Sequence, residues 1–235
     1  MRKPSASELE RTIIRNCSPT LAGLKPANLF TFPGAFIEDG GEEASRRAAE
    51  NRRRLRTAAT ACARQLEIAG IRLRVLVWRP CGALIYVYRP EMLANYLADP
   101  RAAEPLHAEG YPAGDLEPCI DMLAARIAEA GKQAVAGNGE LGGQAGGGRP
   151  CPCDEGTCRR EFPHELGYFL GYPYADVAEF IRQRGENYLE FGMWKIYTER
   201  ERALETFARY KRCTRSMARA YRRHGRLEGL AVRVR

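Results

Sequence analysis

Residues 162–181 read FPHELGYFLGYPYADVAEFI, and the apolar run GMWKIY follows at 192–197. Aromatic residues are denser in this stretch than elsewhere in the chain, and glycine and proline lie between them. Pro163 suits the first turn of a helix, and Gly171 suits a left-handed helix end. Pro173 can then begin a second helix. The stretch therefore predicts two short helices joined by a Gly-Tyr-Pro turn, around which we expect the fold to be organised.

Two short helices joined at a glycine are also the outline of the DNA-binding helix-turn-helix motif. In residues 166–181, the small residue Gly167 and the turn residue Gly171 fall near the positions that this motif requires. The face that would enter DNA carries charges of both signs, from Asp176, Glu179, Arg182 and Arg184. Mixed charge is unfavourable for binding phosphates. A plain helical corner is therefore the alternative interpretation.

The composition is that of a globular protein. Of the 235 residues, 45% are hydrophobic and 28% are charged, which is ordinary for a soluble domain of this length. No apolar run approaches the length of a membrane span, and the first residues lack the apolar core of a signal peptide. We therefore expect a cytoplasmic protein, in which the eight cysteines are reduced thiols.

The positive charge is concentrated at the end of the chain. The net charge is +8, and residues 199–235 contain twelve Arg and Lys against four Glu, so that 12 − 4 = +8 arises there. Such a segment can attract nucleic acid or an anionic membrane, or it can simply be the solvated side of a helix.

Apolar periodicity predicts an α+β protein, with one mostly antiparallel sheet of about five strands and helices packed on it. The clearest element is a hairpin, in which strands at 71–78 and 83–89 flank a turn at 79–82. A long helix is expected over 42–69, a basic helix from 199, an interior strand over 188–197 and a closing strand over 230–234.

We expect residues 1–130 and 161–235 to form one domain, interrupted by a flexible insert at 131–160. The insert is rich in glycine and cannot bury enough apolar surface to offset its ordering entropy. Cys151, Cys153 and Cys158, with His164 nearby, could supply four zinc ligands, but their spacing is not that of a standard zinc site. We therefore assign no metal and interpret these cysteines as exposed thiols.

Four motifs together resemble a bacterial family of unknown function, domain-of-unknown-function family 3793. They are NCSPTLAGLKPANLF at 16–30, ALIYVYRP at 83–90, FPHELGYFLGYP at 162–173 and MWKIY at 193–197. The resemblance covers most of the chain apart from the glycine-rich insert. It implies no activity, because the family carries none that could be transferred.

The sequence contains no standard catalytic or phosphate-binding motif. Polar residues inside otherwise apolar or turn-forming segments are candidates instead, because burial can perturb their pKa values. One hypothesis makes Cys17 a nucleophile, with His164 as its base and Glu165 beside it. The helix dipole would oppose a thiolate at that helix end. In the alternative, Cys17 is a small core residue and His164 begins a helix.

A second hypothesis assigns Lys25, Arg89 and Lys195 to a pocket for a small anionic ligand, such as a phosphate-bearing cofactor or nucleotide. We expect Cys17, Lys25 and His164 to lie within about 10 Å of one another around such a ligand. The competing interpretation is a nucleic-acid-binding regulator that uses the corner at 166–181 and the basic C-terminal helix. Whether the protein is an enzyme, which cofactor it binds and its oligomeric state stay open.

Overall fold

The computed structural model describes residues 4–37, 40–79, 81–136 and 163–233, with the backbone alone for 132–136. Within these ranges the predicted α+β class is confirmed. The strands are β1 (Ala27–Pro33), β2 (Arg72–Arg79), β3 (Gly82–Tyr88), β4 (Glu190–Phe191) and β5 (Lys195–Ile196). The helices are α1 (Ala6–Leu21), α2 (Gly41–Glu67), α3 (Pro90–Leu97), α4 (Pro100–Ala108), α5 (Leu116–Ala136), α6 (Leu166–Phe169), α7 (Tyr174–Arg182) and α8 (Arg200–His224).

The five strands divide into two antiparallel units. The larger is a three-stranded sheet of order β1-β3-β2, and it contains the hairpin predicted from the alternating residues of β2 and β3. The smaller is the hairpin β4–β5. All seven residues of the central strand β3 are buried, so helices cover both faces of the sheet.

Alternate residues of β3 face two separate cores. Ala83, Ile85 and Val87 lie in the first core, together with residues of α1, α2 and the C-terminal half of α8. Leu84, Tyr86 and Tyr88 lie in the second core, with residues of α3 to α7. Each core combines residues from before 131 and after 163, which supports the proposal that the two segments form one domain.

A third core connects the β4–β5 hairpin to the first half of α8. It contains Trp194 and Ile196 from the hairpin and Phe207 and Tyr210 from the helix. The indole of Trp194 meets the ring of Phe207 edge-on, with 4.4 Å between the ring centroids. The hairpin is therefore fixed to α8 and not to the larger sheet.

Two local predictions were wrong. Residues 188–197 do not form an interior strand, because the chain reverses at Gly192 and leaves Leu189 and Phe191 exposed. Residues 230–233 do not form a closing strand, because the chain turns after Gly229 and the amide of Val232 donates to the carbonyl of Leu21, at the end of α1. Of the predicted insert, residues 131–136 continue α5, and the rest lies outside the described residues.

Arg89 follows β3 directly and joins four parts of the chain. Its buried guanidinium donates to the carbonyl oxygens of Thr20 at 2.7 Å, Leu21 at 2.8 Å, Ala69 at 3.2 Å and Val232 at 2.6 Å. Thr20 and Leu21 belong to the last turn of α1, and Ala69 lies just after α2. A cation at these positions meets the negative ends of two helix dipoles and satisfies carbonyl groups that lack partners within their helices.

We predict that Arg89→Met lowers the free energy of unfolding by at least about 3 kcal/mol, because four carbonyl oxygens lose a charged donor. Arg89→Lys should lose less, since the charge remains but an ammonium cannot reproduce the planar fork. Urea unfolding followed by circular dichroism measures both. The control is Arg101→Met, which removes an exposed arginine paired with Asp99 and should change little. A loss in Arg89→Met no larger than in the control would contradict the prediction.

Candidate functional site

The structure brings together two of the residues selected from the sequence, Cys17 and Lys25. Cys17 is on α1 and is completely buried in the first core. Lys25 lies in the loop between α1 and β1 and is 5% exposed. Burial raises the pKa of the Cys17 thiol well above its usual range, and the charge of Lys25 opposes this shift, so the two groups are neighbours.

Lys25 carries an ammonium group that lacks a hydrogen-bond acceptor among the described residues. Its Nζ lies 4.6 Å from the ring centroid of Tyr172, in the turn between α6 and α7. That ring rests on Trp194, with 5.1 Å between their centroids. Burial lowers the pKa of Lys25 to about 8, because the charged form loses its hydration without gaining an anionic partner.

His164 and Glu165 make contacts elsewhere. The buried Glu165 accepts hydrogen bonds from the hydroxyl of Tyr111 at 2.9 Å and from Nη1 of Arg126 at 2.7 Å. His164 is half-buried and meets the ring of Phe180 edge-on at 5.4 Å. Among the described residues, neither a hydrogen bond nor a ring contact joins His164 to Cys17. The nucleophile hypothesis therefore stays a prediction without a supporting contact.

The other two cations proposed for an anion pocket are bonded to backbone carbonyls. Arg89 donates to the four carbonyls described above. Lys195 donates to the carbonyl of Gly185, and its Nζ lies 4.6 Å from the ring centroid of Tyr188. Of the three cations, only Lys25 has an ammonium or guanidinium group without such a partner. A pocket shared by all three stays a prediction.

The predicted helical corner is present as α6 and α7, and it is docked against the rest of the fold. Gly171 has φ of 65°, and a Cβ at that position would lie 2.1 Å from Cγ of Pro26. Only glycine allows this approach, because a side chain would collide with the proline ring. The corner is thereby placed against the loop that contains Lys25.

Asp176 explains why α7 does not present a recognition face. The sequence places it on the outer side of the corner, but it is buried and accepts hydrogen bonds from Trp194 Nε1 at 2.8 Å and from the amides of Tyr197 and Thr198, both at 2.9 Å. The exposed Arg182 is paired with Glu179 at 2.6 Å. α7 therefore connects to the β4–β5 hairpin, and Arg184, two residues after the end of α7, is the one arginine of this face that has no ion-pair partner among the described residues.

The largest set of exposed basic residues without ion-pair partners in the described part of the chain lies on α8 and just beyond it. Residues 209–226 contain eight basic residues and no acidic one. All eight are exposed: Arg209, Lys211, Arg212, Arg215, Arg219, Arg222, Arg223 and Arg226. None of them forms an ion pair with any residue that the structure describes. We call this set the basic face.

α1 extends the basic face. Arg11 and Arg15 are exposed on α1, four residues apart, and neither has an ion-pair partner in the described part of the chain. The two helices pack together, and the hydroxyl of Tyr221 on α8 donates to Glu10 on α1 at 2.7 Å. Burial raises the pKa of Tyr221 to about 12, and the nearby Arg11 opposes the shift. Arg11 is therefore close to the α1–α8 contact.

α2 shows that exposed arginines in this protein are not generally free. Four of its arginines are bonded to glutamates on the same helix, at 2.6 to 2.9 Å: Arg46–Glu42, Arg47–Glu43, Arg53–Glu50 and Arg54–Glu50. Four of the seven arginines of α2 are thus paired within the helix, which also contains four glutamates. Residues 209–226 contain no acidic residue, so their charge can be balanced only by an external anion or solvent.

The fold and this surface define an α+β protein with an exposed, unpaired basic helix. Residues 13–231 match the family described as Protein of unknown function (DUF3793), and the chain belongs to that family. The resemblance found in the four sequence motifs is thereby confirmed. No curated protein and no solved structure matches the chain.

Two further properties concern membranes and metals. No helix in the described ranges is long and apolar enough to cross a bilayer. Those ranges also contain no group of three or more His, Cys, Asp or Glu side chains that could hold a metal ion. Cys151, Cys153 and Cys158 lie outside the described residues.

Sequence reasoning missed the roles of Tyr172 and Trp194 at the Lys25 site. Their positions in the aromatic stretch were the available signal, but periodicity does not show which ring a distant lysine meets. The partners of Asp176 were also missed, because they lie about 20 residues further along the chain.

We predict that Lys25→Met raises the free energy of unfolding at pH 7 by about 1–2 kcal/mol. Burying the ammonium costs about 1.4 kcal/mol for each unit by which its pKa is lowered, and the contact with the aromatic ring offsets part of this cost. The pKa is about 8 in the folded protein and 10.5 otherwise. Between these values the unfolded chain binds more protons, so this cost is complete below pH 8 and disappears as the pH approaches 10.5.

Urea unfolding of both proteins at pH 7, 8 and 9 measures this difference. The advantage of Lys25→Met should shrink as the pH rises. Lys211→Met, which removes an exposed lysine, is the control and should show no such trend. A variant that is less stable than the wild type by the same amount at every pH would contradict the prediction, because it would show that the ring contact outweighs the cost of burial.

Proposed function

We propose that this protein binds nucleic acid through the basic face of α8, together with Arg11 and Arg15 of α1. The observation that carries the proposal is the contrast between the unpaired cations of α8 and the paired arginines of α2. Affinity for nucleic acid comes largely from Lys and Arg side chains that replace counterions at phosphates. Such a role belongs in the cytoplasm, where we propose that the protein acts.

The arrangement of the basic face suits an extended anion. Arg212, Arg215, Arg219 and Arg222 follow at intervals of three or four residues within α8, so they share one side of the helix. At 1.5 Å per residue the row is about 15 Å long, which spans several phosphates of one strand. A small anion would use only a fraction of this surface.

The proposal does not use α7 as a recognition helix. Asp176 is turned inward, and Arg182 is held by Glu179. Sequence-specific reading of base edges needs side chains that are free to enter a groove. Contacts to phosphates need only accessible cations, and these are on α8. We therefore propose binding that depends on the backbone of the nucleic acid and has little sequence preference.

We predict that the triple variant Arg215→Gln, Arg219→Gln and Arg222→Gln binds a fluorescently labelled 20-nucleotide oligonucleotide at least about 10-fold more weakly than the wild type at 100 mM salt. The slope of log affinity against log salt should fall by about 2–3, because each lost phosphate contact removes about 0.7–0.9. Fluorescence anisotropy between 50 and 200 mM salt measures both quantities.

The matched control removes the same charge from α2, by Arg46→Gln, Arg47→Gln and Arg53→Gln. Both triple variants lower the net charge by three. A difference in affinity between them therefore reports which surface binds the oligonucleotide and not the loss of net charge. The α2 variant should bind within about threefold of the wild type, since the three arginines that it replaces are already paired with glutamates. Absence of binding by the wild type at 50 mM salt, or an equal loss in both variants, would overturn the proposal.

A second candidate function is favoured by the unpaired, buried ammonium of Lys25. A small anion at this position would supply the charge that the fold does not, and binding would stabilise the folded state. With inorganic phosphate as the probe at pH 7, we expect a rise in melting temperature in the wild type and not in Lys25→Met. An equal rise in both would exclude phosphate binding at Lys25.

A further inference from the structure

The β4–β5 hairpin exposes a compact set of large apolar side chains. Tyr188 is 44% exposed, Leu189 61%, Phe191 67% and Met193 39%. We call these four residues the hairpin patch. Single exposed apolar residues are ordinary, but several within one short segment mark a surface that contacts another molecule.

The patch is presented by a hairpin whose position is fixed. A Cβ on Gly192 would lie 2.1 Å from Cε2 of Phe207, so the hairpin backbone approaches that ring directly. The indole of Trp194 is held by Asp176 at 2.8 Å. Glu190 is paired with Arg200, at the start of α8, at 2.6 Å. Side chains on such a support are displayed outward at little further cost in entropy when a ligand binds.

The patch contains two aromatic rings that are available to a flat ligand. Tyr188 and Phe191 meet edge to face, with 6.4 Å between their centroids and 62° between their planes, so the pair leaves at least one face of each ring uncovered by the other. Nζ of Lys195 lies 4.6 Å from the Tyr188 centroid. Phe191 has the most exposed side chain of the patch. Exposed rings beside a cation form the arrangement on which unpaired bases stack.

The hairpin patch continues into the basic face. Leu204 of α8 packs against the third core, which contains Trp194 and Ile196 of the hairpin. Lys211, Arg215 and Arg222 follow it by 7, 11 and 18 residues, which at about 100° per residue places them on the same side of the helix. Lys211 is about 10 Å along the axis from Leu204, and Arg222 is about 27 Å. An extended strand could reach both surfaces at once.

We propose that the ligand of the basic face is single-stranded nucleic acid, with unpaired bases stacked on Tyr188 and Phe191 and the flanking phosphates held by α8. This inference rests on the proposed function and adds the class of ligand. A duplex keeps its bases stacked inside and could use the basic face alone.

Charge near the patch favours bases over a membrane. The exposed carboxylates of Glu186 and Glu201 lie on the segments next to the hairpin. An anionic lipid surface would bring these carboxylates close to a dense layer of like charge. Bases are uncharged and tolerate such neighbours, while the phosphates of the same strand reach the basic face, where acidic residues are absent between 206 and 227.

The experiment compares the full-length wild type with the double variant Tyr188→Ala, Phe191→Ala. The probes are a labelled single-stranded 20-mer of thymidylate and a blunt 20-base-pair duplex, at 100 mM salt.

We expect the wild type to bind the single strand at least about 5-fold more tightly than the duplex. The double variant should lose at least about 30-fold for the single strand, because two stacked bases contribute at least about 2 kcal/mol together, and should bind the duplex unchanged. Ile68→Ala, which removes an exposed apolar side chain on another surface, should change neither.

The outcomes separate this inference from the proposed function. Binding of both probes with no loss in the double variant would overturn the stacking inference and leave the proposed function intact. Failure of the wild type to bind either probe at 50 mM salt would overturn both. Binding to vesicles of phosphatidylserine and phosphatidylcholine that is lost in the double variant, with single-strand binding unchanged, would assign the hairpin patch to membranes and overturn the inference.

Discussion

The fold depends on one buried cation, the guanidinium of Arg89, and on the four backbone carbonyls that it joins. These carbonyls belong to the end of α1, the residue after α2 and the C-terminal segment, while Arg89 itself continues from the central strand. Because a guanidinium donates in fixed directions, it sets the position of these parts relative to one another. The loop after α1, with Lys25, is placed by this contact and by the docking of Gly171 on Pro26.

Asp176 has the complementary role at the contact between α7 and the β4–β5 hairpin. Its buried carboxylate accepts hydrogen bonds from two backbone amides, a hydroxyl and the indole of Trp194. Arg89 and Asp176 are thus both satisfied by uncharged groups, and their hydrogen bonds offset the cost of burial. Lys25 differs, because its buried charge has only an aromatic ring beneath it. A buried group that lowers the stability of the free protein is a candidate for a functional residue.

The sequence predicted those parts of the fold that depend on local periodicity. The hairpin of β2 and β3 and the helix α2 follow from alternating or helical apolar residues and from the glycines that bound them. It predicted poorly where tertiary partners decide. Arg89 and Lys195 look like free cations along the chain, but carbonyls from distant or turn residues bind them. The apolar run at 188–197 looks like an interior strand, but Gly192 reverses it against Phe207 and exposes half of its side chains.

The sequence predicts the position of the basic surface but not which of its cations are unpaired, for a related reason. A count of charges shows where arginine is concentrated, yet α2 and α8 both look like arginine-rich helices in the sequence. What separates them is the glutamate at spacing three or four on α2 and its absence between 206 and 227 on α8. Tyr188 and Phe191 lie near this surface because Gly192 packs against Phe207, a contact that the sequence does not predict. The tertiary structure thus brings exposed aromatic rings close to the unpaired cations of α8, and a ligand that carries both bases and phosphates could contact both.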